Sequence, residues 1–252
     1  MKLHARVLFT IICTLGLTQC RSSDQRAETI GQDYLDREFK CSEAPLSVES
    51  DLRIQFARTA FRESWKNGKT TADIVFTGDS TMAIFGGDRL HTLLPGLDIA
   101  NRAIGGETTA GLLDRLDADV VSMHPRVVAI VIGGNDLLGG RCMRTALQNT
   151  EMIFKKLKGS LPNSTLIMVS IPPVVSWKAN NITPYYNRKL EYLTRDMGIT
   201  FLDLWPSLAE AEKPGLKQEY RFVMPNGKED QVHFNEAGYA VFARLLRPLI
   251  AP

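Results

Sequence analysis

Ser80 stands after Ile74-Val75-Phe76-Thr77-Gly78-Asp79 and before Thr81-Met82-Ala83. Three apolar residues, two of them β-branched, read as the end of a buried strand. Gly78 then reads as a tight turn, and the residues after Ser80 as a helix start. A hydroxyl on such a turn sits above the sheet, where the partial positive charge of a helix N-terminus favours an alkoxide or oxyanion. Three other stretches hold what acyl transfer from that hydroxyl needs. His233 can take the proton of Ser80 and return it to a leaving group. Asp230, three residues earlier, can fix the imidazole tautomer and stabilise its cation. The N–H groups of Ser80 and Gly106, with the side-chain amide of Asn135, can hold a developing oxyanion. Each feature has a plainer reading. Ser80 can be an N-cap, Asp230 and His233 a solvated loop, Gly105-Gly106 and Gly133-Gly134 ordinary turns, and Asn135 a residue that satisfies its own loop. It is their joint occurrence, each after the expected element, that singles them out.

The elements that must position these residues alternate along the chain. Short apolar strands are expected over 73–76, 97–100, 127–132, 166–169 and 200–204. Helical patterns lie between them over about 81–94, 108–122, 145–157 and 185–197, and a last helix covers about 236–249. Strands of this composition are covered on both faces. Alternating strands and helices imply a parallel sheet with right-handed crossovers, and such sheets bind ligands at the carboxyl ends of their strands. Ser80, Gly106 and Asn135 each follow a strand, and Asp230 and His233 precede the last helix, with Asn235 as its N-cap. Upstream, Leu52, Phe56, Ala60 and Phe61 recur at helical spacing and end near Asn67-Gly68, so an additional helix packs on the domain's edge.

The 252 residues suffice for one domain with a real core. Residues 1–20 do not read as part of it. Lys2 and Arg6 give a basic start, and the apolar run 7–17 is too short to span a bilayer as a permanent helix. The run ends at Cys20, in the manner of a bacterial lipoprotein signal, although Gln19 stands where such signals have a small residue; an ordinary secretory signal cut nearby is the alternative. Residues 21–40 are polar and aperiodic and read as a tether, which leaves 41–252 as the domain. Against 28 acids stand 30 bases. Removing 1–20 takes Lys2 and Arg6 and no acid, so the remainder is balanced. With no basic cluster, nucleic acid is not expected as a partner. The histidines (His4, His91, His124, His233) are scattered, and no metal site is expected. Cys41 and Cys142 form an even pair in an exported protein; the sequence leaves open a disulfide or two separate thiols.

On these residues the chain resembles the SGNH hydrolases, the GDSL-type esterase/lipase superfamily, over about 72–249. Gly78-Asp79-Ser80 is similar to the first block, which carries the nucleophile. Asn101 to Thr108 is similar to the second, whose oxyanion glycine falls on Gly106. Gly134-Asn135-Asp136 is similar to the third, whose asparagine falls on Asn135. Asp230-x-x-His233 is similar to the last, with acid and base in that order. Within the superfamily, Gly105-Gly106-Glu107-Thr108-Thr109 resembles the branch of platelet-activating-factor acetylhydrolase-like and bacterial acylhydrolase proteins. Thr81 departs from the leucine of the nickname, and no chemistry is expected of it. The resemblance implies an α/β, flavodoxin-like three-layer fold with a five-stranded parallel sheet, a serine esterase mechanism on acyl or acetyl esters, and no cofactor. It makes Asp79 a loop-shaping carboxylate, since Asp230 takes the place beside the base. Substrate is the least legible feature. Val174, Val175 and Trp177 are candidates for an apolar lip around a short or medium acyl chain, or for plain core caps. Lipid esters and acetylated carbohydrates share these blocks. A surface lipoprotein that keeps the fold and only binds ligands is disfavoured by the complete set of Ser80, Asp230, His233, Gly106 and Asn135. A phosphate-binding flavodoxin-like protein is disfavoured by acidic Asp79. The oligomeric state is not legible.

Overall fold

Five runs of aliphatic and β-branched residues build the sheet in a computed structural model, which describes residues 41, 52–65, 68–175, 177–211 and 215–251. In chain order the elements are α1 (Leu52–Trp65), β1 (Ile74–Gly78), α2 (Ser80–Ile84), α3 (Asp88–Leu93), β2 (Ile99–Asn101), α4 (Thr109–Asp119), β3 (Val127–Val131), α5 (Gly134–Leu138), α6 (Met143–Ser160), β4 (Thr165–Val169), α7 (Trp177–Asn180), α8 (Thr183–Asp196), β5 (Thr200–Leu202), α9 (Trp205–Leu208), β6 (Arg221–Val223), β7 (Glu229–Phe234) and α10 (Glu236–Ile250). The strand order is β2-β1-β3-β4-β5, and every neighbouring pair is parallel. β1 and β3 are buried along their whole length, as strands covered on both faces must be. The contacts among the longer helices fall into two groups, α4 with α6 and α8, and α10 with α3 and α9. The protein is therefore a three-layer α/β/α sandwich with a five-stranded parallel sheet.

This strand order reverses direction between β1 and β3, and the crevice beyond their carboxyl ends is where such sheets bind ligands. Ser80 leaves β1 at that point, and Asn135 leaves β3. The turn between β1 and α2 depends on Gly78, whose φ is 124°. A Cβ there would lie 1.8 Å from the Val131 carbonyl oxygen, so no side chain fits where β1 passes β3.

Three expectations change. The helix expected over 81–94 is two short helices, α2 and α3, with Gly86-Gly87 between them and Gly87 at φ 62°. A helix, α5, follows β3 and carries Asn135. Asp230 and His233 lie on a strand, not a loop: β7 pairs antiparallel with β6, with an irregular register between Arg221 and Val223. The hairpin is tied down from outside. Asn235 donates from Nδ2 to the carbonyls of Glu219 and Arg221, and Val175 N–H donates to Gln231 O at 3.1 Å.

Two further ties fix the domain's edges. An aromatic cluster of Phe76, Phe85, Phe234, Tyr239 and Phe242 joins β1, α10 and the segment after α2. Cys41 and Cys142 form a disulfide with Cα atoms 4.7 Å apart. Cys142 directly precedes α6, a few residues after Leu138 ends α5. The expected signal, Cys20 and the 21–40 tether lie outside the described residues. Among those described, no helix is long and apolar enough to cross a membrane, and no group of three or more His, Cys, Asp or Glu could hold a metal ion.

Candidate active site

Ser80 is the first residue of α2, and its neighbours fix where its hydroxyl points. Asp79 is the N-cap and accepts the Thr81 N–H at 2.9 Å. That satisfies one of the donors that every helix start leaves over. The Asp79 N–H donates to Val131 O at 3.0 Å, which pins the turn to β3. On the far side, Tyr239 of α10 donates its hydroxyl to Thr81 O at 3.0 Å. The start of α10 and the start of α2 are thus held together across the site.

That tie brings β7 to Ser80. His233 Nε2 lies 2.8 Å from Ser80 Oγ, and His233 Nδ1 lies 3.0 Å from Asp230 Oδ2. In a regular strand, residues three apart point to opposite faces. Here the Asp230 carboxylate turns back along its own chain, because Oδ1 accepts the N–H groups of Val232 and His233 at 2.8 and 3.0 Å. Partial burial pushes the Asp230 pKa up. The bonds from His233 and Val232 outweigh it, and the net shift is downward, so the carboxylate stays ionised beside the imidazole.

Two loops converge on the same hydroxyl. Gly105 passes beside Ser80, such that a Cβ on it would stand 4.0 Å from the Ser80 Cβ. Gly106 follows with φ 80°, a conformation a side chain would strain. Asn135 donates one amide N–H to Glu107 O at 2.9 Å. The amide has two such hydrogens, so this bond orients the group and leaves its second N–H unclaimed by Glu107. Asp136, the next residue, accepts both the N–H and the hydroxyl of Thr109, at 2.9 and 2.8 Å. The loops after β2 and β3 are therefore bolted together at three points.

Beneath them lies a feature the sequence reading missed, a buried charge cluster. Glu107 and Arg115 are both fully buried and meet at 2.6 Å. Arg58 of α1 adds a second cation to Glu107 at 3.4 Å and reaches Asp114 at 3.1 Å. Arg115 also donates to Arg102 O at 2.7 Å. Asp79 feels this acidic surrounding. Burial raises its pKa most, Asp136 and Glu107 raise it further, and the bonds from Thr81 oppose them, for a result of about 7.

The pocket beside Ser80 is small and open to solvent, and is lined by Asn135, Leu137, Leu138, Ile171, Pro172 and Val174, among others. Val174 lines it, held at both its N–H and its carbonyl by Asn180. Val175 does not line it; its N–H is drawn to β7 instead. The Trp177 backbone begins α7, and its side chain lies outside what is described. Leu137, Ile171, Ala179, Thr183 and Val232 also line the pocket, and the sequence reading had not picked them. Periodicity shows which residues are apolar, not which of them face a cavity rather than the core. A second depression is lined by Ile84, Arg89, Phe222, Asp230, His233 and Glu236, among others.

The chain is similar to known proteins in sequence and in fold. The GDSL-like lipase/acylhydrolase family matches over residues 72–241. The esterase TesA of Pseudomonas aeruginosa is 33% identical over 75 residues, which is 30% of this chain and 37% of that esterase; the chain thus matches little more than a third of that relative's length. A Streptococcus pneumoniae structure provisionally described as a platelet activating factor superposes with a TM-score of 0.66 at 25% identity, covering 78% of this chain and 92% of its own. A GDSL-like lipase from Bacteroides thetaiotaomicron superposes at 0.64 and 20% identity, covering 77% and 96%, which speaks for the fold. The family match spans the segment that holds Ser80, Gly106, Asn135, Asp230 and His233, and the chain belongs to the GDSL-like lipase/acylhydrolase family.

Proposed function

We propose that this protein is a serine esterase that hydrolyses acyl or acetyl esters. The observation that carries the reading is the line from Asp230 through His233 to Ser80, at 3.0 and 2.8 Å, at the wall of an apolar pocket. Ser80 Oγ attacks the ester carbonyl while His233 Nε2 takes its proton, and Asp230 stabilises the imidazolium through Nδ1. The carbonyl oxygen becomes an oxyanion held by the N–H groups of Ser80 and Gly106 and the free amide hydrogen of Asn135. Collapse breaks the ester bond, and His233 gives its proton to the departing alcohol. Water, activated by the same imidazole, then attacks the acyl-serine and restores Ser80. No cofactor enters this sequence.

The apolar lining by Leu137, Leu138, Ile171 and Val174 suits the acyl side, and the pocket's modest size favours short or medium acyl groups. A carbohydrate O-acetyl esterase is the second reading. The second depression, which sets Arg89, Asp230 and Glu236 beside Ile84 and Phe222, is what favours it, together with the superposition on Axe2, an acetylxylan esterase from Geobacillus stearothermophilus (18% identity, TM-score 0.57). For location, we propose export through residues 1–20 with lipid on Cys20, and 21–40 as the tether to the domain. The esterase reading is tested by turnover of nitrophenyl esters from acetyl to palmitoyl alongside acetylated xylooligosaccharides. Hydrolysis that vanishes in Ser80→Ala supports it, and the preferred acyl length and alcohol separate the two substrate classes. Absence of turnover on every ester, with the domain folded, favours a ligand-binding lipoprotein.

A further inference from the structure

Helix α1 ends at Trp65, ahead of the family match over residues 72–241. Its side chains nevertheless reach into that segment at one place, the loop after β2 and the helix α4 that follows. Arg58, Arg62 and Trp65 recur at the spacing of one helix face. Trp65 lies under the Arg102 guanidinium, 4.9 Å from its ring centre, where the loop begins. Arg62 pairs with Asp119 at 3.3 Å, at the end of α4. Arg58 is buried and divides its guanidinium among three partners. Nη1 donates to Asp114 Oδ2 at 3.1 Å. Nη2 donates to Gly111 O at 2.5 Å and to Glu107 Oε1 at 3.4 Å.

Glu107 is where this contact meets the proposed chemistry. It directly follows Gly106, and its carbonyl accepts the Asn135 amide. One residue thus adjoins one proposed oxyanion donor and holds another. Where its side chain goes decides where that backbone sits. The carboxylate is fully buried, and a buried carboxylate keeps its place only among cations and donors. Arg115 serves Oε2 at 2.6 Å. Oε1 accepts the Thr108 N–H at 3.3 Å, and Arg58 supplies the cation on that side. The sequence leaves room for the meeting. Gly111 stands in the first turn of α4, although glycine is the poorest helix former after proline. A Cβ there would lie 1.9 Å from Glu107 Oε1 and 2.8 Å from Arg58 Nη2. We propose that Arg58 is a positioning residue: through Glu107 it holds the loop that carries Gly106 and the carbonyl that orients Asn135. Its effect on turnover rests on the esterase reading; its hold on the loop does not.

The test compares the full chain with its Arg58→Ala, Arg58→Lys and Arg62→Ala variants on nitrophenyl acetate. Arg58→Ala should lower kcat roughly ten- to a hundredfold, the scale of a reacting group misplaced by about 1 Å, with KM changed less than about threefold. Arg58→Lys keeps a charge beside Glu107 but loses the fork that also reaches Gly111 O, so its kcat should fall between the two. Arg62→Ala, on the same face of α1, should leave kcat unchanged. In an Asn135→Ala background the factor lost with Arg58→Ala should shrink at least about threefold, because one of the groups that Arg58 positions is gone. A helix that only stabilises the fold gives equal factors in both backgrounds, and equal factors overturn the proposal. So does a kcat for Arg58→Ala within about twofold of the wild type. Arg58→Lys carries both comparisons if the alanine variant does not fold. Amide hydrogen exchange is the separate arm. Peptides over 102–108 and 133–138 should exchange faster in the Arg58 variants than in the wild type or Arg62→Ala, and unchanged exchange overturns the hold on the loop. A wild type that turns over no ester, with exchange still dependent on Arg58, defeats the esterase reading and leaves that hold standing.

Discussion

Asn135 illustrates how a single amide can be committed before any substrate arrives. Its bond to Glu107 O holds it in place, so in the proposed mechanism no reorganisation is needed when charge develops on a carbonyl oxygen. Asn135→Ala should lower kcat roughly a hundred- to a thousandfold with a smaller change in KM, read by steady-state kinetics on a soluble ester; unchanged turnover with lowered stability would reduce Asn135 to a loop residue. Asp79 makes a different prediction. Its folded pKa, about 7, lies above the ordinary 3.8, so between those values the folded chain keeps a proton that the unfolded chain has lost. The stability this contributes is complete below pH 3.8 and lost as pH rises through about 7. Asp79→Asn keeps an acceptor for the Thr81 N–H and removes the charge. It should therefore gain stability over the wild type at pH 8 and lose that advantage at pH 4, by denaturant unfolding at both pH values. Asp230, shifted the other way, is present in both proteins and cancels in the difference.

At the level of elements, the order of strands and helices decides what meets what. β1 and β3 were legible because unbroken β-branched runs leave no other place for them than the middle of a sheet, and with them came the places of Ser80 and Asn135. The β6–β7 hairpin was not legible. Glu229 to Phe234 carries only Val232 and Phe234 as apolar residues, and its strand conformation depends on partners outside it, Val175 and the β6 strand to which Asn235 ties it. Asp230 and His233 were singled out by their spacing, and the strand that presents them was not. The cluster of Glu107, Arg115 and Arg58 was invisible for the opposite reason: charged residues at helical spacing read as a solvated face, and only the packing of α1 and α4 shows them buried. Breaking such a pair by removing one partner typically costs about 3–5 kcal/mol, because the other charge is left buried. Glu107→Ala should therefore destabilise the fold by about that amount in chemical denaturation, far more than Glu236→Ala, whose pair with Arg89 is largely exposed.

For the whole molecule, the disulfide between Cys41 and Cys142 closes a loop across 101 residues that contains β1 to β3 and the loops that carry Gly106 and Asn135. Constraining a loop of that length in the unfolded chain can contribute roughly 4–5 kcal/mol. Reduction, or the double substitution Cys41→Ala and Cys142→Ala, should lower the unfolding free energy by up to that amount, and a midpoint indifferent to reductant would show that the bond does not form. The claim on which the account turns is the nucleophile, and covalent labelling reads it most directly. A fluorophosphonate reacts only with an activated hydroxyl, so the intact mass of the folded protein should rise by one adduct, with the label on the peptide that contains Ser80. His233→Ala should slow the labelling sharply, and Ser80→Ala should abolish it. Undiminished labelling of Ser80→Ala, or an adduct on any other serine in the wild type, would contradict the account.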